Sequence, residues 1–466
     1  MMSVNSSQDS AVPGDAVKEA YEPNQVWGLF MVLTIVYGFI LAFMQHGTSA
    51  IGVIIEGLWA IYASPAVLTY DYFALAGVGP AFINSGTAGL LILFVFKRAQ
   101  LPPGAPKMIV FGLVMGAALL GKNPVNMIPI LFGAYLFSLY KKEPYKTYVT
   151  MAGFCTCLAP VVSQPAFIPE VVNAVGVFGG VVMGVVLGIF FGFVINAKAV
   201  FIRKSHEGLN LYNIGWGAGL LAIGLTAVYR AMGIQPFGPG TGTTPGIALA
   251  AGSLNIELTI YLAGIAVFFI VAGLLAGGRH DKLSEILYMK ADDNLFYREY
   301  GKGHTYLAMG ILGTLGLALT LVFKINLNAP VVGAIVSMVG WAGFGKAVVN
   351  CVTIIAGVML GGLAKYFEDP SFFGSGVSIY AFYSTQSVIW TSAFWGTCLS
   401  PMAEYFGWRW GLLIGAAHFC FASTIAPFHF GQNLYNNGLA AGFVCVTMIP
   451  IIRSFDRAGK YPPRAF

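Results

Sequence analysis

The sequence predicts an all-α, polytopic membrane protein made of two inverted-topology repeats, each of about five transmembrane helices plus a hairpin of short helices open to a re-entrant reading. Three observations lead there. The chain of 466 residues is 57% hydrophobic and only 9% charged, with a mean hydropathy of +0.76, whereas a soluble domain carries about 25% charged residues. Its apolar residues come in long runs of helical length rather than the roughly ten-residue alternation of an outer-membrane barrel strand. Its distinctive motifs occur twice, in the same order.

The elements follow from those runs. Residues 1–24 are polar and without a signal-peptide pattern, and read as a disordered cytosolic tail. The first repeat, 25–232, opens with a span at 25–44. The apolar stretch 49–68 contains Glu56 and ends at Ser64-Pro65, so it is either an interfacial or re-entrant helix or an extra span. A span at 74–96 stops at Lys97-Arg98, and a hairpin at 106–140 stops at Lys141-Lys142. Spans at 149–168, 172–196 and 210–231 complete the copy, and a Gly/Pro/Thr-rich, extracytoplasmic linker covers 233–256.

The second repeat, 257–452, begins with a span at 257–277. The loop 278–302 is the most charged part of the chain and reads as cytosolic and partly helical. Spans at 303–323, 377–399, 409–427 and 434–452 surround a second hairpin at 328–362, and a basic cytosolic tail covers 453–466.

The duplication is visible residue by residue. GAPKMIVFGLVMGAALLGK (104–122) aligns without a gap on NAPVVGAIVSMVGWAGFGK (328–346), and GTAGLLILFVFK (86–97) on GTLGLALTLVFK (313–324). CLAP (157–160) matches CLSP (398–401). HEGLNLYNIGWGAG (206–219) matches HFGQNLYNNGLAAG (429–442) at nine of fourteen positions. Each copy has an odd number of crossings whether or not the hairpin is re-entrant, so the second copy should be inverted. Lys97-Arg98, Lys141-Lys142, Arg203-Lys204, the 278–302 loop and the C-terminal tail then share one side, the cytosolic one, leaving Lys324 and Lys365 outside. The chain is therefore expected in the inner (cytoplasmic) membrane with both termini in the cytosol.

Inverted repeats with helices broken at membrane depth are the plan of many secondary transporters, and irregular backbone there is tolerated only beside a cavity or protein. The hairpin tips should then flank a binding or permeation site near the midplane. Gly121-Lys122-Asn123-Pro124-Val125-Asn126 breaks the first hairpin, and Gly345-Lys346-Ala347-Val348-Val349-Asn350 breaks the second. Asn123 suits a helix cap and Pro124 the first helical position. The positive helix end beside Lys122 favours an anion. The opposing reading has both lysines snorkelling to an interface while Asn126 and Asn350 only satisfy backbone. His206, Tyr212 and Asn213, with His429, Tyr435 and Asn436, open the last span of each copy. They line a polar path, carry a proton at the histidine, or serve as a packing and capping motif. Glu56, Asp71 and Glu170 are candidate coupling acids, although their place near segment ends favours the surface.

Other classes are less well supported. The basic balance of +6 follows from basic loops and implies no nucleic acid. No nucleophile–base pair, phosphate loop or metal-ligand cluster is present, and Cys155-Thr156-Cys157 lacks partners at ligand spacing, so neither an enzyme nor a cofactor is expected. The remaining readings are a transporter or channel for a small polar solute, a facilitative channel for a neutral solute such as urea, and a membrane scaffold. Assembly as a homo-oligomer is compatible with each. Ser64-Pro65, Tyr70-Asp71-Tyr72-Phe73, Gly121–Asn126, Lys142-Glu143-Pro144 and Asn433–Gly438 together resemble an uncharacterised bacterial family of multi-spanning membrane proteins, a domain of unknown function, over about 45–455. That resemblance carries no activity. The plan is also similar in architecture to urea-type channels, without any of their diagnostic motifs.

Overall fold

The computed structural model describes residues 21–68, 70–236, 238, 255–279, 281, 283–288 and 295–464. Most of the expected N-terminal tail (1–20), the core of the expected linker (239–254) and part of the charged loop (280, 282 and 289–294) lie outside the described residues. Among the described residues every regular element is helical, and nine helices are long and apolar enough to cross a membrane. The protein is an all-α, multi-pass membrane protein.

The first copy contains α1 (Pro23–His46), α2 (Ala50–Tyr62), α3 (Tyr72–Ala76), α4 (Val78–Arg98), α5 (Ala105–Ala117), α6 (Pro124–Lys141), α7 (Val149–Cys155), α8 (Ala159–Ser163), α9 (Pro169–Ser205) and α10 (Asn213–Ala231). The second contains α11 (Ile256–Leu275), α12 (Leu283–Tyr288), α13 (Leu295–Phe323), α14 (Ala329–Gly340), α15 (Val348–Glu368), α16 (Ile379–Thr385), α17 (Ser387–Gly396), α18 (Ser400–Phe406), α19 (Trp408–Thr424) and α20 (Asn436–Ser454).

Several expected spans are broken. The stretch 49–68 yields only the 13-residue α2, about 20 Å long at 1.5 Å per residue and short of the hydrocarbon thickness. Gly77, at φ 88°, separates α3 from α4 in a conformation that suits glycine. The expected span at 377–399 becomes two short helices, α16 and α17, with a 3-10 turn at Thr397–Leu399 leading into α18, and that at 409–427 becomes the 17-residue α19. The charged loop is partly helical through α12 and the start of α13.

Packing repeats between the copies. In the first, α1 lies along α4 and α6 along α9; in the second, α11 lies along α13 and α15 along α19. The copies meet along two seams. In one, α10 crosses α20 where Gly215 and Gly438 face each other, so that a side chain on either would meet the other's Cα. In the other, α5 and α14 lie side by side and antiparallel, with Gly112 against Gly340 and Gly116 against Gly333. Small residues let helices approach closely where lipid offers no hydrophobic drive for association. Both arms are buried along nearly their whole length. Leu101–Gly104, Pro106, Lys107, Thr150, Tyr297 and Arg298 surround a cavity.

Candidate functional site

Each segment expected as a hairpin begins with a helix too short to cross, 13 residues in α5 and 12 in α14, followed by a longer helix that packs along α9 or α19 rather than back along the short one. The break falls where the motif lies. Asn123 caps α6: its Oδ1 accepts from the Asn126 N–H and its own N–H donates to Asn126 Oδ1, both at 2.9 Å, with Pro124 at the first helical position. Asn126 Nδ2 donates to Gly121 O (3.0 Å) and Ser163 Oγ (3.1 Å). In the second hairpin Gly345 takes the left-handed conformation, φ 76°, and Ala347 offers no side-chain cap to α15. Asn350 is half-buried without the contacts of Asn126.

Both tip lysines are buried rather than snorkelling, Lys122 at 0% and Lys346 at 1% exposure. Lys122 Nζ donates to the Tyr435 hydroxyl at 2.6 Å and lies 4.4 Å from the ring centroid. Lys346 Nζ donates to Thr397 Oγ1 at 2.7 Å and lies 5.0 Å from the Tyr212 ring centroid and 5.7 Å from that of Trp341. Each lysine therefore reaches the tyrosine of the opposite copy. Ion pairs seen among the described residues involve neither lysine. Both precede a helix N-terminus, where the macrodipole adds positive potential.

The two tips lie apart. Because α5 and α14 overlap antiparallel, the tips sit at opposite ends of a helix pair roughly 20 Å long. Between them runs an aromatic bridge: Tyr435 to Trp395 (6.0 Å between centroids), Trp395 to Tyr212 (5.8 Å) and Tyr212 to Trp341 (4.7 Å). A cavity of about 290 Å³ opens against this bridge on the side of Arg203, with Tyr212, Trp341 and Tyr435 in its wall.

The repeated histidine block builds a lock. His206 Nε2 meets Asn213 Oδ1 at 2.8 Å while Nδ1 accepts from the Asn210 N–H at 3.3 Å. His429 repeats this with Asn436 Oδ1 (3.0 Å) and the Asn433 N–H (3.3 Å). Both bonds together specify a neutral ring protonated at Nε2. Asn210 Nδ2 then donates across to Gly438 O (3.0 Å), and Asn433 Nδ2 to Gly215 O (3.1 Å). The exchange continues in the backbone, from Leu211 N–H to Cys398 O (3.1 Å) and from Leu434 N–H to Cys157 O (2.9 Å). The block thus ties the copies together and aims Tyr212 and Tyr435 at the lysines.

Some participants were not singled out from the sequence. Asn84, buried within α4, donates to Ala118 O (2.7 Å) and Lys122 O (2.8 Å), holding the first tip in place. Its signal was an Asn-Ser pair inside an apolar span. Thr397 was legible as the partner of Thr156 just before the CLAP/CLSP match. Trp341 and Trp395 carried no signal, because their counterparts Ala117 and Phe154 are different residues. Of the acids, Glu56 and Glu170 are exposed, but Asp71 is buried: it caps α3 through Phe73 N–H (2.8 Å) and Ala74 N–H (3.2 Å) and touches the Ala329 N–H (3.4 Å) that starts α14.

Comparison with curated proteins and with solved structures returned no match. The model of one family, described as "Protein of unknown function (DUF1576)", matches residues 50–231 and 280–454. These two stretches take in both hairpins and both histidine blocks, and the chain belongs to that family.

Proposed function

We propose that the protein is a transporter or channel for a small polar solute, with an anion favoured, built from two inverted repeats whose lysine-tipped hairpins flank the site. It is read as non-enzymatic, in a cytoplasmic membrane, with both termini in the cytosol. One observation carries the proposal: two fully buried lysines, each beside a helix N-terminus and an aromatic ring, with no carboxylate partner among the described residues.

The magnitudes support this reading. Removing an ammonium from water costs several kcal/mol even after relaxation. A charged hydrogen bond returns about 1.5–3 kcal/mol and a desolvated cation–π contact about 2 kcal/mol. The helix N-terminus opposes by about 0.3–1 kcal/mol. The protein partners therefore only roughly offset the burial, and an anion passing between the lysines would supply the missing counter-charge. The antiparallel α5–α14 pair and the crossed Lys–Tyr contacts fit an inverted repeat, because a two-fold axis between the copies produces both.

A neutral-solute channel is the second reading. It is favoured by the fact that each ammonium already holds a hydroxyl and a ring, as a structural cation would. A thermal-shift screen of the purified protein separates the two. An anion at a hundred times its dissociation constant should stabilise wild type by about 2.7 kcal/mol, and a Lys122→Met protein should lose the shift. Shifts produced only by urea and neutral amides would overturn the anion reading in favour of the channel.

A further inference from the structure

The cavity on the Arg203 side has a composition that narrows the solute. Its wall is largely apolar and aromatic: Leu113, Phe154, Tyr212, Trp341, Phe344 and Tyr435. Small-ligand sites have this character, apolar walls with a few polar groups that fix orientation. Its volume of about 290 Å³ suits a molecule with one ring.

The polar groups in the wall are mainly donors. The Trp341 indole N–H and the Tyr212 hydroxyl are buried and have no hydrogen-bond partner among the described residues. Trp341 is donor-only by its chemistry, and a buried donor without an acceptor costs free energy that a ligand's acceptor would restore. The nearby amide oxygens are already used, Asn213 Oδ1 by His206 and Asn210 Oδ1 by the Tyr212 N–H at 2.9 Å. Lys346 lies one ring behind this wall.

The approach is basic. A second cavity of about 310 Å³, containing Lys107 and Arg298, shares Pro106 and Thr150 with the first, and Arg203 stands in the first cavity's lining. Among the described residues no Asp or Glu lines either cavity. An inorganic anion would gain nothing from the aromatic wall, and a neutral aromatic would gain nothing from the basic approach or from Lys346.

We propose that the cavity binds an organic monocarboxylate with a flat apolar body, its ring against Tyr212 and Trp341 and its carboxylate toward their donors and Lys346. This rests on the transport reading for its physiological sense, but it is a binding statement and can be tested separately.

The test is equilibrium binding of radiolabelled benzoate to the full-length protein in lipid nanodiscs, competed with benzamide, acetate and sulfate, alongside benzoate flux in proteoliposomes. Benzoate should bind saturably, with benzamide, acetate and sulfate each at least about tenfold weaker. Trp341→Phe, which keeps a ring and removes the donor, should weaken benzoate about tenfold. Tyr212→Phe should do so by a smaller factor, and melting curves would confirm that both variants fold. Benzoate no better than acetate or sulfate, or unchanged by both variants, overturns the proposal. Sulfate or acetate flux that depends on Lys346, without benzoate binding, would refute the monocarboxylate and leave the transport reading standing. Specific benzoate binding without flux of any anion would do the reverse.

Discussion

Lys122 and Tyr435 lie 313 positions apart in the chain, yet the ammonium of one sits 2.6 Å from the hydroxyl of the other. That contact joins the tip of the first hairpin to the start of the last helix of the opposite copy. Its counterpart is looser: Lys346 lies over the Tyr212 ring but gives its hydrogen bond to Thr397. The difference makes the two tyrosines separable. Tyr435→Phe should lower stability by about 1.5–3 kcal/mol, the worth of a charged hydrogen bond. Tyr212→Phe should cost clearly less, because its hydroxyl has no partner to lose. Denaturation of the two variants in the same detergent checks the order, and equal losses would contradict it.

Thr397 is the corresponding anchor at the second tip. Thr397→Val keeps the shape and removes both the Lys346 bond and the bond to Phe394 O (2.6 Å). A loss of about 2 kcal/mol is expected, with partial recovery when anion is added. Recovery that is no greater than for wild type would argue against an anion near Lys346.

The antiparallel arms depend on bare backbone. A methyl at Gly116 would collide with Gly333 O and Ser337 Oγ of the facing arm, whereas Gly224 has open space around it. Gly116→Ala should cost about 1–3 kcal/mol or prevent folding, and Gly224→Ala should be nearly silent. Melting curves of the pair decide the matter, and a neutral Gly116→Ala would mean that the arms are not locked together.

The C-terminal tail is strapped to the loop beside the cavity. Arg453 pairs bidentately with Glu207 at 2.5 and 2.6 Å, and the Arg464 N–H adds a bond at 3.0 Å. The Arg453 hydrogen bonds, with smaller help from Arg464, hold the Glu207 carboxyl below the ordinary carboxylate range. A depressed acid stabilises the fold above its unfolded pKa and loses that contribution as pH falls through the folded one. Hydrogen-exchange protection in 455–464, taken relative to the intrinsic rate at each pH, should therefore be high at neutral pH and fall as pH drops below about 4.5. Glu207→Gln should exchange fast already at neutral pH. A variant as well protected as wild type would show that the strap does not rest on this ion pair.

Much of this was legible in the sequence because duplication leaves a strong signal. The repeated His-x-Gly-x-Asn-Leu-Tyr-Asn block stood out as a packing and capping motif, though not as a seam between copies, and Asn123-Pro124 marked a helix start. Composition alone gave the membrane. Less was legible where packing in three dimensions decides. Apolar periodicity does not reveal that 377–399 breaks into α16 and α17, since local breaks at Gln386 and Thr397–Leu399 do not change hydropathy. Nor does sequence say how two arms overlap: that follows from Gly112 and Gly116 meeting Gly340 and Gly333, a long-range contact. Asp71 looked like a surface acid because it ends an apolar run, but its backbone hydrogen bonds let it be buried.

The most direct measurement is anion-driven current or flux in proteoliposomes for wild type, Lys122→Met and Lys346→Met, each checked for a cooperative melting curve. Saturable anion flux in wild type, lost by at least tenfold in both folded variants, is the expected result. Folded variants that carry anions as fast as wild type, or a wild type that carries only neutral amides, would contradict the assignment of the buried lysines to an anion path.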